Sequence, residues 1–125
     1  MLLLIFNFFL SVSFDVNIKA LILKNEVPLE TETFVESDEL KGALICEYSV
    51  EVEDQVLQLN EQIIQYEWYK DGVKMDGEEN QLLLFDEIDQ SLNGMYECRI
   101  IVKNKQTIQS RKFDLIVYKC KNYSF

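Results

Sequence analysis

Apolar and polar residues alternate with a period of two along most of this chain, the spacing that puts every second side chain of a strand on one face. Val16, Ile18, Ala20 and Ile22 form the first such run, which Lys24-Asn25-Glu26 and Pro28 end, and which reads as an edge strand. Leu44, Cys46 and Tyr48 share a face of the next run, with Ala43, Ile45 and Glu47 on the other. Ile64, Tyr66 and Trp68 follow, closed by Lys70-Asp71-Gly72, whose Asp-Gly is a hairpin signal. Leu83 and Phe85 alternate ahead of an acidic corner at Asp86, Glu87 and Asp89. Tyr96, Cys98, Ile100 and Val102 line a further strand, Asn104-Lys105-Gln106 makes a turn, and Phe113, Leu115 and Val117 complete the set. No stretch carries a helical period. Short strands separated by turns predict an all-β, two-layer antiparallel sandwich.

Two regions break the alternation. Met1–Ser13 has no charge and holds Leu2-Leu3-Leu4-Ile5-Phe6 and Phe8-Phe9-Leu10. That run falls short of the roughly 20 apolar residues that span a bilayer. With Ser11 and Ser13 placed for a cut after Ser13, it reads as a secretory signal peptide that lacks the usual positive start. A cut after Ala20 and a retained, buried first strand are the alternatives. The stretch between Tyr48 and Ile63 is acidic at Glu51, Glu53 and Asp54 and reads as an extended hairpin or loop. No later stretch is apolar for long enough to cross a membrane, and Lys119–Phe125 has no hydrophobic tail for a lipid anchor. The expected product is secreted and has no membrane span.

The chain has 125 residues, enough for one core, with residues 14–29 as an extension or first strand, 30–118 as the domain and 119–125 as a short tail. Its 22 acidic and 12 basic residues leave a formal charge of −10. Nucleic acid and anionic membrane are thus poor partners, and a basic protein surface suits better, unless the charge serves only solubility. The chain has no histidine, the usual base of serine and cysteine triads. Three cysteines fall short of the usual zinc set, and no glycine-rich phosphate loop is present. The carboxylates at Glu51, Glu53 and Asp54, and at Asp86, Glu87 and Asp89, lack the spaced loop with a central glycine that holds calcium, and read as solvated surface. No catalytic residue, metal or cofactor is expected.

Leu44-Ile45-Cys46, Trp68-Tyr69-Lys70-Asp71-Gly72, Leu83-x-Phe85-x-x-Ile88 and Gly94-x-Tyr96-x-Cys98 occur in the order of strands B, C, E and F of the immunoglobulin superfamily. Over residues 30 to 118 the chain resembles that family, and its I-set domains in particular. The resemblance implies an immunoglobulin-like sandwich with an inter-sheet Cys46–Cys98 disulfide, Trp68 packed against it, and Tyr96 as the tyrosine corner with Gly94 relieving crowding there. All are scaffold residues. Two features depart from the family pattern. Leu92 stands where an Asp is usual, with Asp89 as a shifted substitute, and the interval from Cys46 to Trp68 is long.

If Trp68, Cys98 and Leu115 face the core, Tyr69, Ile101 and Ile116 face outward on the sheet of strands C, F and G. They are the candidate partner-binding residues, one apolar patch with Glu67, Glu97, Arg99 and Asp114 as its charged rim, or else ordinary scattered surface. The resemblance implies homophilic or receptor contact through this sheet. With Cys46 and Cys98 bridged, Cys120 is left for an intermolecular disulfide, a covalent homodimer. Asn122-Tyr123-Ser124 is a glycosylation sequon on Asn122. The expected function is extracellular protein recognition, in adhesion or in receptor binding. The alternative is an intracellular, structural I-set domain of the muscle-filament kind, which requires that Met1–Ser13 be retained.

Overall fold

The structure, a computed structural model, describes residues 12–25, 27–52, 55–57, 63–103 and 107–119. Twelve strands are found there: β1 (Val12–Lys24), β2 (Val27–Thr31), β3 (Phe34–Val35), β4 (Lys41–Val52), β5 (Gln55–Leu57), β6 (Ile63–Lys70), β7 (Val73–Lys74), β8 (Leu82–Phe85), β9 (Gly94–Val102), β10 (Thr107–Gln109), β11 (Phe113–Leu115) and β12 (Val117–Tyr118). A single turn of 3-10 helix, Gln90–Leu92, precedes β9.

One sheet runs β2-β1-β4, with β5 and β8 side by side on the second edge of β4. The other runs β10-β9-β6-β7, with β11 also on β9. All these pairs are antiparallel, and a short parallel pair of β3 and β12 closes the side. Cys46 and Cys98 join the two sheets by a disulfide with Cα atoms 6.2 Å apart. Around it Phe34, Leu44, Trp68, Leu83, Ile88, Tyr96, Ile100 and Val117 are fully buried. The molecule is therefore an immunoglobulin-like two-sheet β-sandwich with an inter-sheet disulfide.

The alternation read from the sequence holds in β8 and over Val16–Ala20 of β1, whereas a register shift between Ile63 and Gln65 breaks it in β6. Leu83 and Phe85 are buried while Leu82 and Leu84 are exposed. The turn at Asp71-Gly72 carries φ of 50° and 81°, which joins β6 to β7 by a two-residue hairpin. Pairing of β5 with the end of β4 shows the long region after Cys46 to be a hairpin among the described residues. The edge-strand expectation for β1 holds over Val12–Lys19, which among the described residues has a strand on one side only, and is corrected for Ala20–Lys24. The strand pairs with β4 from Val12↔Val52 to Leu23↔Lys41, while β2 folds back on Ala20–Lys24 and takes the edge there alone. Val16, Ile18 and Ala20 alternate into the core, and of the three only Ala20 has a strand on each side. The first strand occupies Val12–Lys24.

Candidate functional site

Trp68 lies opposite Cys98 across β6 and β9, which sets the register of the whole sheet: Tyr69 meets Glu97, Glu67 meets Arg99 and Gln65 meets Ile101. The Trp68 indole N–H donates to the Asn80 carbonyl at 2.8 Å, so the ring is both packed and satisfied. On the outward face this register assembles a polar cluster. The Arg99 guanidinium stacks on the Tyr69 ring, 4.0 Å from its centroid, and donates to the Tyr69 hydroxyl at 3.2 Å. It also pairs with Glu97 at 3.5 Å. Gln109, on β10, donates to the second oxygen of Glu97. Tyr69 in turn donates to Glu67 at 3.4 Å, and Lys74 pairs with Glu67 at 3.0 Å. That hydrogen bond and charge hold the Lys74 ammonium above its ordinary pKa.

Glu97 is only 7% exposed although it points away from the core. Its neighbours explain this: Arg99, Gln109 and Tyr69 fold over it, and two of them satisfy its oxygens, as a buried carboxylate requires. Arg99 Nε is buried with no hydrogen-bond partner among the described residues.

The expected single patch of Tyr69, Ile101 and Ile116 is not formed. Two register steps separate Tyr69 from Ile101, and the Glu67–Arg99 pair stands between them. Ile101 is half-buried beside Gln65 and Thr107. Ile116 is exposed beyond the last β9–β11 pair, Leu115↔Gly94, at the opposite end of the sheet. Glu67, Glu97 and Arg99, expected as a rim, are the centre. Lys74 and Gln109 were not among the candidates. Once Trp68 is set opposite Cys98, counting along the antiparallel strands brings Glu67 to Arg99 and Tyr69 to Glu97, a signal available in the sequence.

The corner before β9 behaves as a brace. Tyr96 donates to the Leu92 carbonyl at 2.7 Å, and burial, then the Asp71 charge, pushes its pKa up to about 12. Asp89 caps the 3-10 turn by accepting from the Ser91 N–H at 2.9 Å, and its bonds to Ser91 hold the carboxyl below its ordinary pKa. Lys70 donates to the Ser91 carbonyl and the Asp71 carboxylate accepts from the Met95 N–H. A Cβ on Gly94 would lie 2.8 Å from Lys70 Cε and 3.1 Å from the Asp71 carboxylate, so the small residue lets both reach the corner. Asn93 accepts from the Val117 N–H at 2.6 Å and ties the brace to β12.

Cys120 and Asn122 lie outside the described residues, as do Met1–Ser11 and the acidic pair Glu53 and Asp54. Asp86 and Glu87 are exposed. Among the described residues no group of three or more His, Cys, Asp or Glu side chains is close enough to hold a metal ion. Likewise none of their helices is long and apolar enough to cross a membrane. A depression of about 470 Å³ lies where β1 and β8 end and β4 begins, lined by Leu23, Lys41, Leu84 and Asp86 among others.

No family model matches this sequence, and no curated protein matches it. Among solved structures, extracellular domains 3–5 of Drosophila OTK align with 73% of this chain and 32% of that one, at 24% identity and a TM-score of 0.47. The chain therefore corresponds to about a third of that protein fragment.

Proposed function

We propose that this protein is an extracellular recognition domain, I-set-like, non-enzymatic and secreted with Met1–Ser13 as its leader, and that it binds another protein through the outward face of β6 and β9. The observation that carries the reading is the Tyr69–Arg99–Glu97 cluster. Its aromatic ring and guanidinium are held in a fixed geometry on an outer sheet face. Tyrosine and arginine are the residue types that dominate protein contacts, and side chains already held in place lose little entropy on binding. The buried Cys46–Cys98 bridge supports the compartment, since such bonds persist where the surroundings are oxidising. A net charge of −10 favours a partner with a basic surface.

Expression of the full chain in a secretory host tests the first half. Recovery from the medium with Phe14 as its first residue is expected, and retention in the cell with Met1 intact would favour the intracellular structural reading instead. For the second half, the secreted protein is screened against extracellular proteins, and any binder is retested with Tyr69→Ala and Arg99→Ala. Loss of roughly tenfold or more in affinity is expected of each, the scale of a 1.4 kcal/mol contact. Unchanged binding by both would move the site off this face.

A further inference from the structure

The exposed edge of the other sheet is built differently. Strand β8 pairs with β4 on one side, Leu82↔Ile45 through Phe85↔Gly42, and among the described residues no strand pairs with its other side. The chain from β7 to β8 crosses from one sheet to the other through Met75–Gln81, a mostly exposed segment that adds no strand. Natural edges are usually blunted by charge, proline or a bulge. Here β2 carries Pro28 and Glu30, and β7 carries Lys74. The β8 edge has none of these: it reads Leu82-Leu83-Leu84-Phe85, with Leu84 60% and Leu82 39% exposed on the outer face. Behind these two the outer face stays apolar, through Ala43, Ile45 and Leu21, because the register sets Ala43 beside both Leu84 and Leu21.

We infer that β8 is a self-association edge, at which a second copy of this chain adds its own β8 antiparallel about a two-fold axis. The occupant follows from the edge itself. An antiparallel pair centred on Leu83 sets Leu82 of each copy beside Leu84 of the other on one outer face, so four exposed leucines cover each other. No charge falls within the paired strands, and Asp86 comes opposite the neutral Asn80. This matters for a molecule of charge −10, whose copies repel one another and can meet only where the local surface is uncharged. A basic partner finds no carboxylate within Leu82–Phe85 itself. Glu79 and Glu87 come together just outside the paired strands, so salt should strengthen the contact. The surface lies on the opposite sheet from the Tyr69–Arg99 cluster, and the inference does not depend on the function proposed for that cluster.

The test is sedimentation equilibrium on the secreted protein carrying Cys120→Ser, which removes any covalent dimer, over micromolar to millimolar concentration at low and high salt. Reversible dimers, stronger at high salt, are expected. Leu84→Lys changes an exposed side chain, leaves the core alone and should raise the dissociation constant roughly tenfold or more. Val73→Asp, at an exposed position of β7 on the other sheet, should leave it unchanged. Hydrogen exchange reads the pairing itself, with amides within Leu82–Asp86 slowing as the dimer forms. A monomer at every concentration and salt would overturn the inference. So would a dimer indifferent to Leu84→Lys, or one whose β8 amides exchange as fast as in the monomer, which would mark face-to-face packing.

Discussion

At the scale of single residues, Tyr96 has the most to lose from a change of pH. Its hydroxyl holds the Leu92 carbonyl, its ring packs edge-on to Phe85 with centroids 6.1 Å apart, and its pKa in the fold is about 12. In the unfolded chain a tyrosine ionises near pH 10. Because the folded value is the higher one, the stabilisation is complete below pH 10 and is lost as pH rises from about 10 to about 12. Urea unfolding at a series of pH values should show the midpoint falling across that window. Tyr96→Phe should cost about 1 kcal/mol at pH 7, the worth of a typical hydrogen bond, and should flatten the alkaline fall. Tyr66, also raised by burial, would leave a remainder. A variant with the wild-type alkaline slope would show that Tyr96 is not the group responsible. This role was implied by the resemblance that Gly94-x-Tyr96-x-Cys98 carries. The bracing by Lys70, Asp71 and Asn93 was not, because those bonds depend on how three separate loops meet.

At the scale of elements, β1 shows what alternation can and cannot tell. The pattern of Val16, Ile18 and Ala20 identified a strand and its buried face. It could not say which strands lay beside it, since that depends on pairing partners distant in sequence. Ala43 makes the same point: it sits on the outer face by parity, yet is fully buried because β1 and β8 bring Leu21 and Leu84 beside it. The outer polar cluster was hidden differently. Tyr69, Glu67, Glu97 and Arg99 were noticed as outward or charged positions, but without the Trp68↔Cys98 register the three charges read as a rim rather than a centre, and Lys74 and Gln109 were missed. The position of β1 also separates the two leader cuts. A chain that begins at Phe14 keeps Val16, Ile18 and Ala20, whereas one that begins at Leu21 loses all three and strips β4 of most of its partner. Burial of Val16 and Ile18 is worth roughly 1.5–3 kcal/mol each, a large share of the 5–15 kcal/mol that holds a typical domain folded. We expect the Phe14 form to melt as cooperatively as the longer chain and the Leu21 form to be unfolded at 25 °C by circular dichroism. Equal melting curves would show β1 to be dispensable.

For the molecule as a whole, the balance lies between one covalent tie and a strongly one-sided charge. The Cys46–Cys98 bridge encloses a separation of 52 residues, for which the chain-entropy model gives about 4 kcal/mol. Against it stand 22 carboxylates facing 12 basic groups, whose mutual repulsion falls as salt screens it. Two of the cations paired among the described residues, Lys19 with Glu47 and Lys74 with Glu67, are half-exposed, so each of these pairs contributes little and weakens in salt. Net repulsion over the whole surface should outweigh those losses. The prediction follows for the variant with both cysteines replaced, Cys46→Ala with Cys98→Ala, compared with wild type in 20 and 500 mM salt. Wild type should exceed the variant by about 2–5 kcal/mol in urea unfolding at either salt, because the bridge acts mainly on the unfolded chain. Both should gain stability at the higher salt, and by similar amounts, because screening acts on surface charges that the two proteins share. A loss of stability with added salt would mean that the surface pairs outweigh the repulsion, and that the acidic surface is no burden on the fold.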